Sequence, residues 1–156
     1  MTTKRRLTYA DFERDFPEAL TTLLAMSKAV DASGLEKSIT ELVKLRVSQI
    51  NACAFCTELH LRVARRTGVE EAKLDLLPAW RDTALYSARE RAALAWAEHV
   101  TQTPTAGLPP DASAALDSAF AEPERVNLTI AIANINAWNR IAGALHFRTM
   151  ATAEAR

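Results

Sequence analysis

Two cysteines, four glycines and a formal net charge of zero are the scarcities that bound this 156-residue sequence. Two cysteines cannot staple a small secreted scaffold, and because they sit three residues apart they suggest a redox or metal motif instead of a fold-closing bridge. Nineteen Lys+Arg against 19 Asp+Glu leave no bulk cationic field to hold nucleic acid or anionic lipid, so neither is expected as a partner. No apolar run approaches the ~18–20 residues of a membrane span, so no membrane association is expected. Lys4, Arg5 and Arg6 are followed by Leu7, Thr8, Tyr9, Ala10 and Asp11, not by the apolar stretch of a signal peptide. The expected location is the reducing cytoplasm.

What the sequence does have is helix-forming residues. Thirty alanines and 18 leucines lose little rotamer freedom in a helix, and with so few glycines they point to an all-α fold. With no repeat and no linker, residues 1–156 are expected to form a single domain ending in a polar tail after about Thr149. Thr8 and Asp11 resemble a capping box opening a short turn, and Pro17 suits the first position of a helix running to Val30. Asp31, Ala32, Ser33 and Gly34 break it. A second helix is expected from Leu35 or Glu36 to Ile50, with Ile39, Leu42, Val43, Val47 and Ile50 on one stripe. Asn51 reads as the cap of a third helix that stops at Gly68.

Beyond it, Glu70 to Leu77 reads as a short helix stopped by Pro78, and Ser87 with Glu90 as a capping box for a helix to Thr101. A loop containing Pro104, Gly107, Pro109 and Pro110 follows, then a short helix from Asp111 to Phe120. From Pro123 the apolar residues Val126, Leu128, Ile130 and Ile132 alternate as in a strand, but the pattern continues through Leu145 and is too long for one. A long helix is therefore expected there.

The chemistry concentrates in one segment. At about 100° per residue, Cys53, Cys56 and His60 fall within a ~60° arc of one helical face, with Cys56 and His60 one turn apart. Only a thiolate is a good nucleophile, and a helix start stabilises one through free N–H groups and the positive end of the dipole. His60 can accept a proton or stay nearby as a cation. Proximity to the helix start favours Cys53 as nucleophile and the imidazole favours Cys56; the residues alone leave both open. Two blander readings compete. The cysteines could be small core residues, or three zinc ligands with His60, although a closed zinc site needs four and His99 and His146 stand apart. Glu41 lies opposite the apolar stripe, and by itself reads as a solvated ion pair with Lys37 or Lys44. Lys44, Arg46, Arg62, Arg65 and Arg66 read as solvated or helix-end charges.

The pattern Glu41-x11-Cys53-x2-Cys56-x3-His60 resembles the alkylhydroperoxidase D-like proteins of the carboxymuconolactone decarboxylase superfamily. Residues 35–68 match closely, and Asn136-Ala137-Trp138-Asn139-Arg140 is a segment common in single-domain members. The resemblance implies a small helical protomer, a homo-oligomer (trimer or hexamer), and a cysteine pair in a pocket between helices. It implies a thiol-dependent peroxidase with Cys56 peroxidatic, Cys53 resolving, and His60 and Glu41 as proton relay, so that Glu41 belongs to the site after all. The implied partners are a hydroperoxide and a dithiol reductant, lipoyl-type or a thioredoxin-like protein; no cofactor is expected. One departure stands out: Phe55 occupies the place of a histidine in the best-characterised peroxidase pattern. General disulfide oxidoreductase activity thereby becomes a competitor, as does a non-enzymatic redox-sensing or metal-binding oligomer. The decarboxylase branch generally lacks the cysteine pair and ranks below these.

Overall fold

The structure is a computed structural model describing residues 6–153, the side chains of 152 and 153 excepted. Nine α-helices and one 3-10 turn, with no strand, make up the regular structure of those residues, as the composition requires. The helices are α1 (Tyr9–Asp15), α2 (Pro17–Ala32), α3 (Lys37–Ile50), α4 (Ala54–Arg66), α5 (Glu71–Asp75), α6 (Ala88–Ala106), α7 (Ala114–Ala119), α8 (Glu122–Ala144) and α9 (Met150–Ala153); the 3-10 turn is Leu77–Asp82. None is long and apolar enough to cross a membrane.

The local signals work as chemistry. Thr8 Oγ1 accepts from the Asp11 N–H while Asp11 accepts from the Thr8 N–H, and Ser87 with Glu90 does the same at the start of α6. The alternating stretch after Pro123 is helical throughout. Three differences from the sequence expectation have local causes. The helix after Glu70 stops at Asp75, and Pro78 enters a 3-10 turn instead of ending an α-helix. α6 runs on through Pro104, which sits in its last turn and forfeits little of the hydrogen-bond ladder there. The tail after Thr149 begins as α9, whose Met150 and Ala151 N–H groups donate to the Glu58 carboxylate at 2.6 and 2.9 Å. Lys4 and Arg5, and the tail beyond 153, lie outside the described residues.

α3 is the axis of the fold. It packs against α4, α6 and α8, and it separates two apolar clusters. Val43 and Val47 belong to the larger cluster with Leu128, Ile132 and both cysteines. Leu42 and Leu45 belong to the smaller, with Leu77, Trp80 and Leu94. A helix buried on two sides has no broad wet face, so the single-stripe reading of α3 is corrected. Glu41 is 1% exposed and Lys44 5%, not solvated. Arg46 is also engaged: its Nε donates to Glu98 Oε1 at 2.7 Å, and the same carboxylate takes Trp80 Nε1 at 2.9 Å. Burial pushes the Glu98 carboxyl up, but Trp80, Arg81 and Arg46 together hold it below its ordinary range.

Candidate active site

The corner between α3 and α4 places the first cysteine. The Ala52 N–H donates to Gln49 O at 3.1 Å and the Cys53 N–H to Ser48 O at 3.0 Å, which closes α3 in a Schellman motif. Asn51 therefore caps the end of α3 and is not the N-cap of α4, as the sequence suggested. Cys53 is that N-cap, and its Sγ accepts from the Cys56 N–H at 3.3 Å. The turn requires a left-handed residue, and Ala52 supplies it at φ 52°. Alanine is disfavoured there by about 1–2 kcal/mol, partly offset in a glycine by lost chain entropy. Ala52→Gly is expected to stabilise the protein by about 0.5–1 kcal/mol, read as a Tm gain of about 1–3 °C; a lower Tm would show that the turn is not strained.

Both cysteines are free thiols and buried. The neighbouring Cys56 thiol is the largest influence lowering the Cys53 pKa to about 7. Burial opposes the shift, while the Cys56 and Phe55 N–H groups and the Asn139 amide add to it. The Cys53 side chain, together with burial, pushes Cys56 up. A thiolate formed in the pair is therefore favoured on Cys53, the sulfur at the helix start.

The two residues expected to form a proton relay meet. His60 Nδ1 lies 2.7 Å from Glu41 Oε2, and Lys44 Nζ lies 2.9 Å from Glu41 Oε1. Lys37 approaches the same oxygen at 3.3 Å. Burial raises the Glu41 pKa, but the His60 hydrogen bond and the Lys44 charge outweigh it and bring it down to about 2. A carboxylate only accepts, so His60 Nδ1 carries the hydrogen and Nε2 is the basic nitrogen.

Cys56, His60 and Lys44 line one cavity of about 110 Å³, whose other walls include Tyr9, Leu24, Phe55, Leu59, Ile135 and Trp138. Cys53 and Glu41 stand behind that wall. Phe55, at the position of the departure, stacks on Tyr9 at 6.0 Å and meets Phe147 edge-on at 5.5 Å between ring centres. It makes the cavity wall apolar and supplies no proton carrier. Among the described residues, no group of three or more His, Cys, Asp or Glu side chains could hold a metal ion.

Sequence reasoning named Asn136 and Asn139 only within a family-like segment and gave them no role. Asn139, 3% exposed, donates through Nδ2 to Ser48 Oγ at 3.1 Å and accepts from Asn51 Nδ2 at 2.9 Å. Three asparagines at 134, 136 and 139, inside a helix whose neighbours are apolar, were the available signal.

A vicinal dithiol at a helix start, behind a cavity that also holds a carboxylate-backed imidazole, defines a class of all-helical dithiol proteins. Residues 15–99 match the carboxymuconolactone decarboxylase family, and the chain belongs to it. It is 36% identical to the uncharacterised protein YdfG of Bacillus subtilis (strain 168), over 83% of this chain and 88% of that one. Among solved structures it is similar to a protein of unknown function from Agrobacterium tumefaciens, named as a candidate antioxidant-defence protein AhpD. That likeness has 38% identity and a TM-score of 0.85, and covers 92% of this chain and 98% of the other. The debrominase Bmp8 shares the fold at 20% identity and a TM-score of 0.81, with 99% and 96% of the two chains covered.

Proposed function

We propose that the protein is a cysteine-based peroxidase that reduces hydroperoxides through a Cys53–Cys56 dithiol and disulfide cycle. The observation that carries this reading is that Cys56 shares a cavity wall with His60, whose Nδ1 is held 2.7 Å from the ionised Glu41. The likeness to a candidate AhpD antioxidant-defence protein supports it.

The Cys56 proton passes to Cys53 or to His60 Nε2, and the Cys56 thiolate attacks the terminal oxygen of the hydroperoxide. An S–O bond forms, the O–O bond breaks, and the leaving alkoxide or hydroxide takes a proton from whichever group received it, the His60 imidazolium or the Cys53 thiol, giving a sulfenic acid and an alcohol or water. Cys53 then attacks the sulfenic sulfur, forming the disulfide and releasing water. An external dithiol, lipoyl-type or on a thioredoxin-like protein, returns two electrons and two protons by thiol–disulfide exchange. No step needs a cofactor. The working form would be a homo-oligomer in the cytoplasm.

A second reading, general disulfide exchange, is favoured by two features: Cys53 at the helix start has the lowered pKa, and Phe55 brings no second imidazole. Steady-state hydroperoxide consumption separates the two. Turnover that depends on added dithiol and stops in its absence is expected. A pair that exchanges with protein disulfides but leaves every hydroperoxide untouched would replace the peroxidase reading with the second one.

A further inference from the structure

We propose that Lys44 is a catalytic residue of the peroxide reaction: its ammonium holds the oxygen that is expelled when the Cys56 thiolate breaks the O–O bond. This rests on the peroxidase reading and extends it to a cation that the cysteine motif does not contain. Lys44 stands three residues after Glu41 on α3, so the two side chains leave the helix on one face. The Glu41 carboxylate divides its oxygens between two groups. Oε1 takes Lys44 Nζ at 2.9 Å, and Oε2 lies 2.7 Å from His60 Nδ1. Lys44 and His60 both line the cavity with Cys56, while Glu41 stands behind them. One buried anion thus fixes two hydrogen-bonding groups at the wall that carries the attacking thiol.

The ammonium is 5% exposed, and enclosing it is costly. Service to Glu41 alone does not account for that cost. Lys37 reaches the same Oε1 at 3.3 Å from a half-buried position, with Asp31 at 2.6 Å as its own counter-charge, and His60 supplies a further donor. An ammonium has three donors, of which the bond to Glu41 uses one. Most of the other cavity walls are aromatic or aliphatic, a setting in which a fixed charge acts through a low dielectric. The step balances without consuming the lysine's proton. Sulfur takes the terminal oxygen, and the O–O electron pair goes to the oxygen bonded to carbon. That alkoxide accepts a hydrogen bond from Lys44 until a proton reaches it from the His60 imidazolium or the Cys53 thiol. The more charge the expelled oxygen keeps, the more the ammonium contributes.

Ethyl hydroperoxide and peracetic acid test this, because they are nearly equal in size but expel a strongly basic ethoxide and a weakly basic acetate. In Lys44→Met, the single-turnover rate of thiol oxidation is expected to fall about 10²-fold with ethyl hydroperoxide and less than about tenfold with peracetic acid. Equal losses with both would mean that Lys44 acts only through Glu41 on thiolate formation, a step the two oxidants share, and would overturn the proposal. Wild-type rates no faster than those of free cysteine would overturn the peroxidase reading and the role of Lys44 with it, an outcome distinct from fast wild-type rates with equal losses. If Lys44→Met does not fold, alkylation of Cys56 by iodoacetamide, read by peptide mass spectrometry, decides. Propionate imitates the expelled anion, and propan-1-ol is its neutral counterpart of equal length. Propionate is expected to protect Cys56 at about tenfold lower concentration than the alcohol, in the wild type and in His60→Gln alike. Equal protection by the two, or a preference lost with His60, overturns the proposal.

Discussion

Cys56→Ser is expected to abolish dithiol-dependent hydroperoxide consumption, a fall of roughly 10³-fold or more, because no other sulfur lines the cavity. Cys53→Ser is expected to behave differently. A first turnover still forms the sulfenic acid on Cys56, detectable as a trapped adduct by mass spectrometry, but no disulfide follows and turnover stalls. The split depends on a division of labour within the pair. Cys53 has the stabilised charge, with a pKa near 7, and Cys56 has the access. Moving one proton from Cys56 to Cys53 joins the two. A sulfenic acid on Cys53 in Cys56→Ser, formed at the wild-type rate, would reverse the assignment and favour the disulfide-exchange reading.

The motif was legible because its spacing is local. Cys56 and His60 sit on one helix with Cys53 as its N-cap, where residue spacing is geometry, and Cys56 and His60 line one cavity. Glu41 was harder to read. Its helix has an apolar stripe, and a wheel drawn on α3 alone sends Glu41 and Lys44 to the opposite face and therefore into water. That inference fails because burial is decided by what packs on the second face. Leu42 and Leu45 face a second cluster, and the charged pair is enclosed between the elements that approach from both sides. Only the family resemblance pointed to Glu41 beforehand.

The caps divide in the same way. Thr8 and Ser87 announced helix starts from sequence because a hydroxyl there has one evident use. Asn51 could serve either helix, and the left-handed Ala52 decided for α3, a position where glycine would have been the readable signal. Asn139 was beyond reach for a plainer reason. Its partners Asn51 and Ser48 are 88 and 91 residues away, so no local spacing brings them together.

Glu41→Gln is expected to cost about 3–5 kcal/mol at pH 7, the range for breaking a buried pair, because it leaves the Lys44 ammonium enclosed without its counter-charge. Activity should fall about 10²-fold as well, since a neutral amide leaves the His60 imidazole without the anion that orients it. The pH dependence gives an independent check. The folded pKa of about 2 lies below the ordinary carboxylate value, so the unfolded chain takes up a proton first as pH falls. The carboxylate's contribution is fully present above about pH 4.5 and is lost as pH drops through about 2. Denaturant unfolding of wild type and Glu41→Gln should therefore diverge most at neutral pH and converge toward pH 2. Equal stabilities at pH 7 would mean that Glu41 is not charged in the folded protein, and the imidazole would then lack the anion that orients it.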